Sequence, residues 1–502
     1  MKSRLDHVIE NIKWGYVCTV VTYFFGFIMR TAVIIILGEN YAGIGGLFAN
    51  ILGVLSFAEL GIGTAMNYSL YRPIASNNTE KIKSLMKFYK KAYSTVAFVI
   101  AVSGLMLLPF LKYLVNDPGE VGDIRLYYVI YLFTTVTSYF VSYKYSYVNA
   151  KQDNYVVSIV GMVSSSLTYI FQIFVLILTK QFFLYLVFGA IVDLIQKGWI
   201  SCYLNKRYPI LCEKNAKKLE KKELMIIKDN TKALVIHKVG DVCVHQTDNI
   251  IISSFINLVT VGRVTYYSYF ISAMHQVLCV ALNSVVGTLG NAISEVSKEK
   301  QYSIFKIYRF AAFWIYGLTT VGLYFMISKI ITFLVGDGVM LPRAVTGLML
   351  IDYYMLGQRA ALNNMKMAGG IFAQDQYISI VQAIVNLVMS VILVTRVGLI
   401  GVYIGTVTQG LIASLVRPII VYPYLFKKSP LSYFKDSLIY ACVVMCALSI
   451  CTWIDAFFVN NNLWMIILEA SVLFIVINAV FALALFKTRE FRFVWNVYRR
   501  KK

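Results

Sequence analysis

The sequence predicts an all-α polytopic membrane protein, and three observations predict it. Charged residues make up only 14% of the 502 positions, where a soluble protein carries about a quarter. Mean hydropathy is +0.68. Uncharged runs such as Ile159–Thr179 reach the ~20 residues that cross a bilayer as a helix.

About fourteen transmembrane helices follow. The first six spans lie near 14–37, 42–70, 92–115, 124–147, 156–179 and 182–204. Span 1, Trp14 to Leu37, is too long for a signal-peptide core, and no small-residue cleavage site follows it. Span 2 is rich in small residues (Ala49, Gly53, Gly63), a composition that lets helices approach closely. Span 3 follows the basic stretch KIKSLMKFYKK, and span 4 follows the acidic NDPGEVGD. Spans 5 and 6 meet at Thr179–Lys180. The next six lie near 234–256, 262–290, 307–334, 341–366, 377–396 and 399–425, and the last two near 437–458 and 463–486.

The formal net charge of +22 invites a nucleic-acid partner, but its placement excludes one. Most of the 47 lysines and arginines fall in the termini and in the segments after even-numbered spans. That asymmetry is the positive-inside pattern and predicts that both termini are cytoplasmic, in the cell membrane. The basic segments then also meet anionic lipid headgroups. The eight cysteines are scattered, without a CxxC pair, and read as small buried side chains.

The chain also repeats itself with a period of about 220 residues. QDNYVVSIV at Gln152 matches QDQYISIV at Gln374, and FYKKAY…LKYLVND matches IYRFAA…ITFLVGD. RTAVIII at Arg30 aligns with QTDNIII at Gln246. Six spans per copy give both copies one orientation, a parallel repeat. The expected organisation is an N-terminal lobe at 1–204, a basic cytoplasmic linker at 205–233 and a C-terminal lobe at 234–426. Spans 13–14 and a basic tail complete the chain at 427–502.

Against this apolar background, HKVGDVCVHQTDNIII in span 7 stands out. His237, Asp241, His245 and Asp248 share one helix face, with Lys238 at its border. An ionisable group at mid-bilayer costs ~2.5–3.5 kcal/mol on insertion scales, so the stripe faces protein or water. It is read as a cavity wall, with a mutually neutralised network and a metal site as alternatives. His-x3-Asp-x3-His suits a metal on one helix, but no further acidic ligands are seen to converge on it, so no metal or other cofactor is expected. Arg30 in span 1 is too deep to reach the interface, and a guanidinium there can grip phosphate oxygens in bidentate fashion. Glu59 in span 2 is a further cavity candidate. In span 10, Asp352, Arg359, Asn363 and Lys366 share a face. Asp193 and Lys197, four apart, are expected to pair on their own helix.

No Walker loop, HExxH or GxSxG element appears in its required context. The outer loops are short, which speaks against a membrane-embedded polysaccharide polymerase or transferase, so the chain is not expected to be an enzyme.

YAGIGGLFANILGVLSFAELGIGTAMNYSLYRPIA in span 2, TDNIIISSF in span 7 and NLVMSVILVTRVGLIGVYIGTVTQGLIASLVRPIIVYPYLF in spans 11–12 resemble the Wzx-type lipid-linked oligosaccharide flippases. These belong to the multidrug, oligosaccharidyl-lipid and polysaccharide exporter (MOP) superfamily. The resemblance implies two six-helix lobes around a cationic cavity that opens alternately to either side. Its substrate would be an undecaprenyl-pyrophosphate-linked oligosaccharide repeat unit, crossing the membrane for surface polysaccharide biosynthesis. Arg30, Arg359 and Lys238 would hold the pyrophosphate. Glu59, Asp241, Asp248 and Asp352 would shape the cavity or couple it to H+ or Na+; His237 and His245 are read with them as cavity groups from the residues alone, since the family gives no account of two histidines there. The polymerase of the same pathway is a candidate partner. The alternative is a cation-coupled drug or metabolite exporter of the same fold.

Overall fold

The computed structural model describes residues 4–59, 62–116, 121–212, 246–283, 297–368, 376–458 and 462–500, together with 219, 224, 225 and 227. The described residues form helices joined by short connections, with no strand among them. They divide into two compact units, Met1–Tyr266 and Tyr267–Lys502.

The first unit begins with α1 (Arg4–Leu37) and α2 (Glu39–Leu55), joined at Gly38. Gly38 has φ +99°, a conformation that glycine adopts at no steric cost. Span 2 was expected to be continuous over 42–70. Instead α2 gives way to a 3-10 turn at Ser56–Glu59, and α3 (Ile62–Ala75) resumes after it. α4 (Thr79–Leu107) is capped by Asn78, whose side chain accepts from Lys81 N at 3.0 Å. One further turn at Leu111–Leu114 extends it. α5 (Ile124–Ala150) is capped by Asp123, which accepts from Arg125 N at 2.9 Å. Such caps satisfy the N–H groups that a helix start leaves open. α6 (Asn154–Thr179) and α7 (Phe182–Arg207) follow.

After the stretch that holds most of 205–245, the short α8 (Asp248–Phe255) leads to α9 (Leu258–Asn283). The boundary between the units falls inside α9. Residues 246–266 belong to the second copy of the repeat but pack in the first unit. α2 and α9 meet there backbone to backbone. A Cβ on Gly43 would lie 2.1 Å from Leu258 O, and one on Gly262 2.2 Å from Glu39 O. Beside that crossing, Arg263 Nε donates to Glu39 Oε2 at 2.5 Å. Deeper in the same seam, Asn50 Nδ2 donates to Gln246 O at 3.1 Å, and Asn249 Nδ2 to Asn50 Oδ1 at 3.2 Å.

A main-chain carbonyl cannot yield as a flexible side chain can. Gly262→Ala is therefore expected to cost at least the ~1–3 kcal/mol of an overpacked core. Gly161→Ala on α6, where nothing lies within 4 Å of the added carbon, should leave stability unchanged or raise it by about 0.5–1 kcal/mol. Thermal unfolding of the two purified variants checks both; equal melting would contradict the close approach.

The second unit continues with α10 (Lys298–Val335), α11 (Arg343–Ala368), α12 (Gln376–Val397) and α13 (Leu399–Phe426). α6 and α12 start two residues after the matched Gln-Asp pairs of the repeat, at Asn154 and Gln376. α12 and α13 form a tight hairpin. A Cβ on Gly405 would meet Ser390 Oγ at 2.2 Å, and one on Gly401 would meet Leu393 O at 2.4 Å. A buried polar ladder runs along it, with Gln382 on Gln409 (2.6 Å) and Asn386 on Thr406 (3.3 Å). Small residues and cross-helix amides are what hold helices together where the surroundings are as apolar as the side chains.

The last two spans, α14 (Leu431–Asp455) and α15 (Leu463–Leu485), pack on α10, followed by the basic amphipathic α16 (Arg489–Arg500). Phe313 stacks on Tyr440 (4.1 Å between ring centroids) and on Phe481 (5.1 Å). Ion clusters clamp both ends of this three-helix contact. Near the start of α10, Lys306 bonds Asp436, and Arg309, only 1% exposed, donates to Tyr433 O (2.9 Å) and Ser437 Oγ (2.6 Å). Twenty residues on, about 30 Å along the helix, Lys329 Nζ lies 2.6 Å from Asp455 and 2.7 Å from both Glu469 oxygens. That spacing equals the hydrocarbon thickness of a bilayer.

Ten of the described helices are long and apolar enough to cross a membrane, which makes this a multi-pass membrane protein. Spans 2, 7, 8 and 10 of the expected fourteen are not among them. Span 2 is broken, span 7 lies mostly outside the described residues, and α9 and α11 carry the polar groups that lower their hydropathy.

Candidate functional site

A cavity of about 530 Å³ opens inside the first unit, between α1, α2, α5, α6, α7 and the start of α9. Its volume is that of a small-molecule site. Three charged side chains line it: Arg30 from α1, and Asp193 and Lys197 from α7. Lys197 Nζ lies 2.5 Å from Asp193 Oδ2 and also donates to Thr134 O (2.7 Å) and Thr137 Oγ1 (3.0 Å). The pair neutralises itself, so two cations and one carboxylate leave the lining at +1, the charge of Arg30.

Tyr41, Tyr131, Tyr185, Tyr266 and Phe182 supply aromatic surface. Tyr185 OH is anchored on Met29 Sδ (3.0 Å), and Tyr266 OH is bonded to Thr31 (2.6 Å). Of the five serine and threonine residues in the lining, Thr265 has a buried hydroxyl without a hydrogen-bond partner, and the other four share one property. Thr134 and Thr135 donate to Tyr131 O (2.9 Å each), Ser138 to Thr135 O (2.6 Å) and Thr168 to Ser164 O (3.1 Å). Each has given its proton to its own helix, so what it offers the cavity is lone pairs. The lining is thus an acceptor-rich, aromatic wall beside one guanidinium. It suits a ligand that carries many hydroxyl donors and an anionic group.

No family model matches the chain, and no curated protein matches it significantly. Solved structures do. The lipid II flippase MurJ, in an inward closed conformation, superposes with a TM-score of 0.68 at 15% identity, covering 94% of this chain and 99% of that one. The chain has the fold of the MOP-superfamily transporters. An inward-facing multidrug resistance MATE family transporter of that superfamily gives 0.62 at 14% identity, over 78% of this chain and 92% of that one. A MOP superfamily transporter from Pyrococcus furiosus gives 0.55 at 14%, over 84% and 96%. Identity this low speaks for the fold alone. These neighbours are transporters and flippases rather than enzymes.

Within this MOP fold the sequence-derived candidates scatter. Arg30 lines the cavity of the first unit. Glu59 does not; it ends the 3-10 turn between α2 and α3 and accepts from Tyr93 OH at 3.3 Å. Asp248 opens α8, half-buried, outside that lining. Arg359 and Asp352 belong to the second unit, where both meet α13 at Gly410. Arg359, 5% exposed, donates to Gly410 O at 3.1 Å, and Asp352 Oδ1 lies 3.0 Å from where a Gly410 Cβ would stand. His237, Lys238, Asp241 and His245 lie outside the described residues. The Asp193–Lys197 pair forms as the spacing predicts, and in addition it lines the cavity.

Tyr131, Thr134, Gln172 and Tyr185 were not singled out from sequence. A signal was present, because Tyr185, Gly189, Asp193 and Lys197 recur every four residues on one face of α7. Gly189 leaves room on that face for Gln172 of α6, whose amide would sit 2.2 Å from a Cβ there.

Proposed function

We propose that this protein is a Wzx-type flippase, moving undecaprenyl-pyrophosphate-linked oligosaccharide repeat units across the cytoplasmic membrane for surface polysaccharide biosynthesis. The observation that carries this reading is the cavity of the first unit: a net positive lining at Arg30 beside aromatic rings and hydroxyl acceptors. Moving a pyrophosphate and a glycan through hydrocarbon requires that their hydration be replaced by fixed charges and polar groups. Arg30 supplies the charge-assisted donors for the pyrophosphate. The threonine and serine oxygens accept from sugar hydroxyls, and the rings pack against the apolar faces of the sugars. The superposition with a lipid II flippase over nearly the full chain supports the same reading.

Arg359 and Lys238 are assigned as further phosphate ligands. Glu59, Asp248 and Asp352, which stand outside that lining, are assigned to coupling with H+ or Na+, and Asp241, His237 and His245 to cavity shape or to the same coupling. Transport then proceeds by alternating access of the two repeats, with both termini cytoplasmic and the pathway's polymerase as a partner. The exporter alternative is less well supported, because the one carboxylate in the described cavity is already neutralised by Lys197. That leaves little to attract a cationic drug.

The test is a lipid extract of cells lacking the gene, with and without the wild-type copy on a plasmid. Complete lipid-linked repeat units should accumulate without the gene while surface polymer disappears, and the plasmid should restore both. Unchanged lipid intermediates and polymer would refute the proposal.

A further inference from the structure

A second cavity, about 340 Å³, lies in the second unit at the end of α10 far from its basic start. There the chain leaves α10 through Gly336 (φ +96°) and the 3-10 turn Asp337–Val339, then enters α11 at Arg343. The end of α14 closes the remaining wall with Asp455 and Phe458. Its volume lies within the range of small-ligand sites, about 300–1,000 Å³.

One side chain in the wall is incomplete without a ligand. Thr346 is 3% exposed and lines the cavity, and its hydroxyl has no hydrogen-bond partner. A hydroxyl buried in that state has lost its hydration without a replacement, and a ligand that bonds to it recovers that loss. The charges around it come in two kinds. Arg343 stands in the first turn of α11, one helical turn from Thr346, where the helix start also favours an anion. Lys329 of α10 is shared by Asp455 of α14 and Glu469 of α15, a trio of one cation and two carboxylates with formal net charge −1. Asp337 adds a second negative group at the rim.

A plain anion would meet these carboxylates, and a plain cation would meet Arg343. A ligand that carries both charges a few ångströms apart satisfies all of them.

We propose that this cavity binds a phosphoethanolamine-type head group. Arg343 and the Thr346 hydroxyl take the phosphate, the carboxylates of Asp337 and Asp455 take the ammonium, and Tyr324, Phe325 and Phe458 flank it. The site belongs to the second unit and is separate from the cavity assigned to transport. Its ligand ties α10, α11 and α14 together at that end.

The full-length protein, purified in an uncharged detergent and stripped of lipid, tests this by native mass spectrometry and thermal unfolding. The added probes are phosphatidylethanolamine, phosphatidylglycerol and soluble glycerophosphoethanolamine. Phosphatidylethanolamine should be retained at least fivefold over phosphatidylglycerol and raise the melting temperature. Arg343→Gln and Thr346→Val should erase that preference; Thr346→Val, nearly isosteric and rid of the unpartnered hydroxyl, should melt no lower than the wild type when no ligand is added. A response to the soluble head group but not to the lipid would support the same chemistry and place its source in the aqueous phase. Equal retention of the two lipids by the wild type, or an undiminished preference in Thr346→Val, would overturn the proposal.

Discussion

Arg30→Ala is expected to reach the membrane at wild-type levels and to fail to export. Cells carrying it should accumulate the lipid-linked repeat unit and lose surface polymer, as cells lacking the gene should. The expectation follows from the charge balance of the cavity, where Asp193 and Lys197 cancel and Arg30 alone sets the sign of the lining. A hydrogen bond to a charged group contributes about 1.5–3 kcal/mol, and each 1.4 kcal/mol is about a factor of ten in affinity. A guanidinium gripping a pyrophosphate through two such bonds therefore accounts for roughly a hundredfold or more. Arg30→Lys keeps the charge but loses the planar fork, so it should export at an intermediate rate. Lipid analysis of the three strains, normalised to membrane protein, gives the ranking. An Arg30→Ala strain with normal polymer and no accumulated intermediate would remove Arg30 from the transport site.

Lys329→Met should be the most destabilising single change in the second unit. Lys329 holds two carboxylates at once, and the Glu469 side chain is only 2% exposed. Removing one partner of a buried ion pair leaves an uncompensated charge and costs about 3–5 kcal/mol. The lesion lies at one end of the contact between α10, α14 and α15, so those helices should loosen while the aromatic stack of Phe313, Tyr440 and Phe481 still holds their middle. Adding Glu469→Gln to Lys329→Met removes the stranded charge and should recover a large part of the loss. Thermal unfolding in detergent of wild type, single and double variants checks both statements. If Lys329→Met melts with the wild type, the cluster is not a clamp.

Sequence pattern reached some of these features and not others, for a consistent physical reason. The duplication was legible because matched helices keep matched starts, as at Asn154 and Gln376. The Asp193–Lys197 bond was legible because both partners sit on one helix at a fixed spacing. Lys329 and Glu469 are 140 residues apart, and no local spacing links them before α15 packs against α10. Local spacing likewise gives Arg417 no partner; its guanidinium approaches Gln382 at 3.2 Å and Ser379 at 3.4 Å only across the packed helices. Attention to charged residues also drew the candidate site toward span 7 and away from the tyrosines and threonines of α5–α7, which carry no charge to betray them.

By itself the sequence determined that the chain is helical, lies in a membrane and is built from two like halves. Those properties are sums over local hydropathy and spacing, which the covalent order fixes. Only the tertiary structure decided that α2 breaks at Ser56–Glu59, that residues 246–266 pack with the first unit through Gly43 and Gly262, and that Arg30 rather than Glu59 lines a cavity with α7. Each of these depends on which faces of distant helices meet, and a helix surface of ~3.6 residues per turn offers several faces of similar polarity. The choice among them is made by backbone approach at glycines and by the pairing of buried charges, both of which exist only after the helices have packed.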